Sequence, residues 1–160
     1  MIRECSLEDT DRIYLIVNDA ARAYAGHIPP DRYQEPYMPM EELLAEMAEM
    51  TVFGWEEEGE LVGVMSLQPV KDVTLIRHAY ILTPYQKRGI GTRLLEHVVG
   101  LSGTRRLLVG TWAGARWAIS FYESHGFRTM PDKDELLRTY WHVPERQIET
   151  SVVLGIELRR

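Results

Sequence analysis

Residues 80–92, reading Tyr-Ile-Leu-Thr-Pro-Tyr-Gln-Lys-Arg-Gly-Ile-Gly-Thr, constrain the fold of this chain more than any other stretch. Leu75 to Leu82 suits a half-buried extended strand. Ile90, Leu94, Leu95, Val98 and Leu101 then recur at the spacing of one helix face. Between them, Gly89 and Gly91 let the backbone approach a ligand with no Cβ in the way. A strand that passes through a glycine turn straight into a helix leaves the first helical N–H groups pointing outward. The aligned peptide dipoles place roughly half a positive charge there. A phosphate or pyrophosphate is the natural guest of such a corner, and Lys87 and Arg88 add formal charge beside it.

The spelling separates three kinds of phosphate loop. A Walker-type loop requires Gly-Lys followed by Ser or Thr, whereas Arg93 and Leu94 follow Gly91-Thr92 here. A dinucleotide fingerprint requires a third small residue, where this chain has Leu94. The remaining pattern is Gln-x-x-Gly-x-Gly, at Gln86, Gly89 and Gly91, and it resembles the acetyl-coenzyme A loop of the GNAT superfamily of N-acetyltransferases. A plain strand-to-helix turn, with glycines that only relieve strain, is the alternative. A second stretch, Ala118-Ile119-Ser120-Phe121-Tyr122-Glu123-Ser124-His125-Gly126-Phe127, resembles the Ala-x-x-Phe-Tyr-x-x-x-Gly-Phe ending of the same superfamily. Its local logic is that of a helix: Ala115, Ala118, Ile119 and Tyr122 share a face, and Gly126 suits the left-handed position past the helix end.

The resemblance implies an α+β fold, α/β layered, in which a central mixed, mostly antiparallel sheet has helices on both faces. It also implies an acyltransferase with acetyl-coenzyme A as co-substrate and no metal. The main-chain N–H groups of Lys87, Arg88, Gly89, Ile90, Gly91 and Thr92, after Gln86, are expected to hold the pyrophosphate. Strand residues near Tyr80, Ile81 and Leu82 are expected to pair with the pantetheine arm, and an N–H of Ile81 or Leu82 to polarise the thioester carbonyl. The side chains of Lys87 and Arg88 are either rim contacts or solvated surface charges. Tyr122 matches the tyrosine thought to protonate the departing thiolate. A phenol, with a pKa near 10 when unperturbed, is protonated at neutral pH and suited to that task; the alternative is a core aromatic. Ala115 stands where many relatives carry Asn, so that polar contact to the coenzyme is lost or replaced by water. No carboxylate occupies the strand position from which relatives often draw a base. His78, which titrates in the useful range, is the candidate beside a water-mediated base or none.

Acceptor specificity is expected from the proline-rich segment 26–39, with His27, Tyr33 and Tyr37 lining a pocket and Trp112 and Tyr140 as further candidates. Aromatic faces suit a cationic amine, although each ring alone is better explained as core cover. The expected acceptor is the primary amine of a small molecule. A peptide amino terminus or lysine is the first alternative, and a non-catalytic acyl-coenzyme A-binding domain the second. The tract from Leu136 to Val152 resembles a tail of some uncharacterised superfamily members and identifies no acceptor.

At 160 residues the chain is expected to form a single domain, 1–160. A net charge of −6 argues against sequence-independent nucleic-acid binding, which relies on dense Lys and Arg. The sole cysteine, Cys5, has no internal disulfide partner and reads as a small packed residue. With no long apolar run, no membrane partner is expected, and a cytoplasmic location is. A homodimer is expected by analogy with relatives.

The element order reads as a short strand over 1–5, then Ser6 capping a helix with Ile13, Ile16, Val17 and Ala20 on its stripe. A second helix over 40–49 and a hairpin over 51–56 and 61–67 follow, with Gly59 near its turn. Strand 73–82 leads into the glycine corner and its helix, and strand 106–111 into the Tyr122 helix. A helical turn or two within 129–140 should end by Pro144. The last strand, 150–158, should place Val152, Leu154, Ile156 and Leu158 on one face.

Overall fold

The computed structural model describes residues 1–159. Its strands form a seven-stranded mixed sheet in the order β1-β2-β3-β4-β5-β7-β6. The chain gathers into two compact units. The first comprises Met1–Ala23, Gln34–Gln68 and Ile76–Ser102; the second comprises Tyr24–Tyr33, Pro69–Leu75 and Gly103–Arg160.

In the first unit, β1 (Ile2–Glu4) pairs antiparallel with β2 (Thr51–Glu57), setting Arg3 opposite Gly54. β2 pairs antiparallel with β3 (Glu60–Val70), setting Phe53 opposite Met65. Glu58 and Gly59, which join β2 to β3, both have positive φ, at 51° and 82°. That is the backbone handedness a two-residue hairpin requires, and glycine supplies the second residue without strain. The first helix, α1 (Thr10–Ala21), buries Ile13, Ile16, Val17 and Ala21. A 3₁₀ turn, Leu7–Asp9, precedes it, in which the Ser6 N–H donates to the Asp9 carboxylate at 2.8 Å. Arg3 clamps the same carboxylate with two nitrogens and also reaches Glu56. Paired in this way to Arg3, the Asp9 carboxyl is held down at about 2.

Cys5 packs with its Sγ 3.0 Å from the place a Cβ on Gly54 would occupy. Burial pushes its thiol up to about 12, so it is a packing residue and not a nucleophile. After α2 (Met40–Met47), β4 (Val73–Ile81) runs to a 3₁₀ turn at Thr83–Tyr85 and then into α3 (Ile90–Leu101). Ile90, Leu94, Leu95 and Val98 are buried as the spacing predicts, but Leu101, at the helix end, is exposed.

In the second unit, β5 (Arg106–Trp112) pairs antiparallel with β7 (Ser151–Glu157), which also pairs with the short β6 (Arg128–Thr129). α4 (Arg116–Ser124), α5 (Lys133–Tyr140) and α6 (Glu145–Glu149) complete it. Val73, Leu75, Leu108, Leu136, Leu137, Ile148 and Val153 form its core cluster. Two sequence expectations change here. Pro144 is the N-cap of α6, so it opens a helix as well as following one; its fixed φ suits a helix start. In β7 both Val153 and Leu154 are fully buried, because α4, α5 and α6 all pack against this strand.

Candidate active site

The corner between β4 and α3 is built from the main chain. Lys87 and Gly89 have φ of 63° and 83°, and Gln86, Lys87, Arg88 and Gly89 are all exposed. At Gly89 a Cβ would meet nothing within 4 Å, so the left-handed backbone, not crowding, demands glycine. Gly89 is also the N-cap of α3 and makes no side-chain cap. The first intrahelical bond runs from Arg93 N–H to the Gly89 carbonyl at 3.1 Å. The N–H groups of Ile90, Gly91 and Thr92 therefore have no intrahelical acceptor. Successive amides with alternating backbone handedness form a concave anion nest.

Side chains stiffen this corner. Asp19 on α1 accepts from the Thr83 N–H at 2.9 Å and from its hydroxyl at 3.0 Å. Gln86 Nε2 donates to the Ile81 carbonyl at 2.9 Å, so Gln86 ties the turn to the strand end. The Arg88 guanidinium lies over the Tyr85 ring, 5.1 Å from its centroid. Of the two amides expected to face a thioester, Leu82 N–H is already used, donating to the Val62 carbonyl of β3 at 2.8 Å. Successive N–H groups of a strand point to opposite edges, which leaves the Ile81 N–H pointing away from β3.

A second cluster joins α2 to β4. Glu46 accepts from Arg77 through Oε1 at 2.7 Å, and its Oε2 lies 2.8 Å from His78 Nε2. Arg77 donates its other terminal nitrogen to Gln68 at 2.9 Å. Side chains of adjacent strand residues ordinarily point to opposite faces. Both reach one carboxylate here because His78 has a φ of 50°, which breaks the alternation inside β4. The His78–Glu46 contact is close but off the N–H axis, and both atoms are buried without an aligned hydrogen bond. Burial pushes the Glu46 carboxyl up, but His78 and Arg77 outweigh it and hold the group below its ordinary value. Burial and the Glu46 charge push the neighbouring Glu42 up. Tyr80 stacks on His78 with ring centroids 6.3 Å apart. Sequence reasoning singled out His78 and did not include Glu46. The available signal was the polar Arg77-His78 pair inside an apolar strand run, with Glu42 and Glu46 four apart on one helix.

In the second unit, Tyr122 is 4% exposed, with its ring against Phe121 and Phe127. Burial, and then nearby Tyr24, raise its pKa well above the ordinary phenol value, so it stays protonated and is a donor, never a base. Ala115 is the N-cap of α4 and fully buried. Trp112 is buried within β5, and His27 is exposed with its ring edge-on to Trp117 at 5.2 Å. Tyr33 is half-buried after the 3₁₀ turn Pro30–Arg32, and Tyr37 is half-buried in the first unit. Tyr140, the further candidate, instead donates its hydroxyl to Asp72 at 2.6 Å. Among the described residues, no helix is long and apolar enough to cross a membrane.

Comparison with known proteins agrees with this architecture. PaiA N-acetyltransferase from Thermoplasma acidophilum, solved with coenzyme A, aligns over 98% of each chain at 18% identity and a TM-score of 0.74. A GNAT-family acetyltransferase from Staphylococcus aureus Mu50 aligns over 99% of each chain at 15% identity and a TM-score of 0.76. Ribosomal-protein-alanine N-acetyltransferase from Brucella melitensis aligns over 99% of each chain at 18% identity and a TM-score of 0.71. No curated protein matches the chain. The sequence profile of the Acetyltransferase (GNAT) family matches residues 11–127, a span that includes both glycine-bearing motifs. The chain therefore belongs to the acetyltransferase (GNAT) family, enzymes that move an acetyl group from acetyl-coenzyme A.

Proposed function

We propose that residues 1–160 act as a single N-acetyltransferase domain that passes the acetyl group directly to the primary amine of a small molecule. The observation that carries this reading is the exposed, glycine-shaped corner from Lys87 to Thr92, whose amides fit a diphosphate. Coenzyme bound there would run its arm back along β4, and the Ile81 N–H would receive the thioester carbonyl. A donor aimed at the charge that develops on that oxygen contributes about 3 kcal/mol in comparable sites. Tyr122 would protonate the leaving sulfur, since a buried phenol keeps its proton through the neutral range. Lys87 and Arg88 would act from the solvent-screened rim and add less than the amides. The rings of segment 26–39, His27 among them exposed, would suit a cationic amine as acceptor.

The test is a thiol-release assay with acetyl-coenzyme A against a panel of small amines, set beside lysine-bearing and free-amino-terminal peptides. Release with small amines above the peptide rates supports the proposal. Release with peptides alone would move the acceptor to protein. Heat of coenzyme A binding without release across the whole panel would leave a non-catalytic acyl-coenzyme A-binding domain.

A further inference from the structure

The Gln68–Arg77–Glu46–His78 chain of contacts is more than a buried ion cluster requires. A packed strand does not need a non-glycine residue at positive φ, and such a residue persists only where its surroundings impose it. Here the left-handed residue is His78 itself, and the effect is to bring its imidazole onto a carboxylate from another element. Glu46 is fixed from the other side by Arg77, which Gln68 holds in turn. Tyr80 stacked on the ring limits its rotation. Oε2 of Glu46 lies 2.8 Å from Nε2, where a ring lone pair would be repelled by the carboxylate, so the neutral ring carries its proton on Nε2. Nδ1 is left with its lone pair and no hydrogen bond within the protein among the described residues. A carboxylate that fixes one ring nitrogen while the other works is a recurrent way to orient a histidine base.

We propose that Glu46 is a positioning residue that orients His78 as the general base of the acetyl transfer, with Nδ1 as the accepting atom. The inference rests on the transferase reading above. His78 lies three residues before Ile81 on the same strand, and bridging water completes the path to the acceptor nitrogen. The step balances as follows. An ammonium acceptor gives one proton through the water to Nδ1, and its freed lone pair forms the C–N bond. The C–S bond breaks, and the sulfur leaves with the electron pair. Tyr122 gives the sulfur its proton and is restored by the second nitrogen-bound proton, which yields the amide and the free thiol. The imidazolium, held against Glu46, then returns its proton to solvent. The charged or titratable groups around the imidazole are Glu42 and Glu46 on α2 and Arg77 and Tyr80 on β4.

The experiment compares the full-length chain with Glu46→Gln, Glu46→Asp and His78→Gln, using acetyl-coenzyme A and the best amine of the panel. His78→Gln is expected to lower kcat about 100-fold, within the usual range for a general base. Glu46→Gln is expected to lower kcat about 30-fold, with the acetyl-coenzyme A KM within twofold of wild type, and Glu46→Asp to recover part of the loss. Nitrogen-15 NMR of the wild type should show His78 protonated on Nε2 when neutral. A kcat unchanged in both Gln variants, or a neutral ring protonated on Nδ1, would overturn the proposal. A wild type that releases no thiol with any amine overturns the transferase reading itself, and this inference with it.

Discussion

The molecule contains two strand-to-helix junctions of the same plan, and they end in opposite states. Between β4 and α3 the turn is exposed, Gly89 has open space where a Cβ would stand, and the first helical amides have no partner in the helix. Between β5 and α4 the turn is filled. A Cβ on Gly114 would stand 1.7 Å from the His27 carbonyl oxygen, and Ala115 is fully buried. Neither helix has a side-chain N-cap. The difference is therefore what stands in front of the turn: solvent in one case, the protein's own backbone in the other. A glycine before a helix has two separate meanings. At Gly89 it supplies a backbone angle, and at Gly114 it supplies room.

The largest expected effect contrasts those two glycines. Gly114→Ala forces backbone apart and should destabilise the protein by about 3 kcal/mol, the upper range for overpacking. Gly89→Ala should cost about 1 kcal/mol, from left-handed strain alone. Thermal unfolding of the pair checks this, and equal shifts in Tm would break the comparison. Next, Tyr122→Phe, on the helix of the filled junction, should lower kcat about 100-fold while coenzyme A affinity stays within twofold. A loss of affinity in place of rate would assign that helix to coenzyme binding. Third, Gly89→Ala should weaken coenzyme A about tenfold by calorimetry, against two- to threefold for Lys87→Ala or Arg88→Ala, whose effects should fade with salt. Larger losses from the charges than from the glycine would mean that side chains, not amides, hold the ligand.

The smallest effect lies away from both junctions. Asp9 has its folded pKa depressed to about 2 by Arg3, so its contribution is present above the unfolded value, near 4, and is lost as pH falls toward 2. Denaturant unfolding of wild type and Asp9→Asn should differ at neutral pH and converge at the acid end.

The open junction was legible in the sequence because its parts are contiguous: strand, Gln86, Gly89, Gly91, helix. The hairpin and the α4 motif were readable for the same reason. Other features depend on distance. Glu46 meets Arg77 across 31 positions, through a backbone angle at His78 that a histidine does not advertise. The plug at Gly114 is a carbonyl oxygen of His27, an atom every residue carries, so no side-chain pattern marks it. The Leu82 amide looked as available as that of Ile81 until its bond to Val62 was seen. Periodicity placed β7 correctly but not the burial of both Val153 and Leu154, which follows from the helices packed against it.

The state of Cys5 has a practical corollary. With its sulfhydryl at about 12, very little of it is ionised at assay pH, so a chromogenic disulfide reagent reads liberated coenzyme over a nearly silent protein background. For the same reason, a cysteine introduced at an exposed position of choice would be the single fast-reacting handle for a fluorophore or spin label, without first deleting the native one.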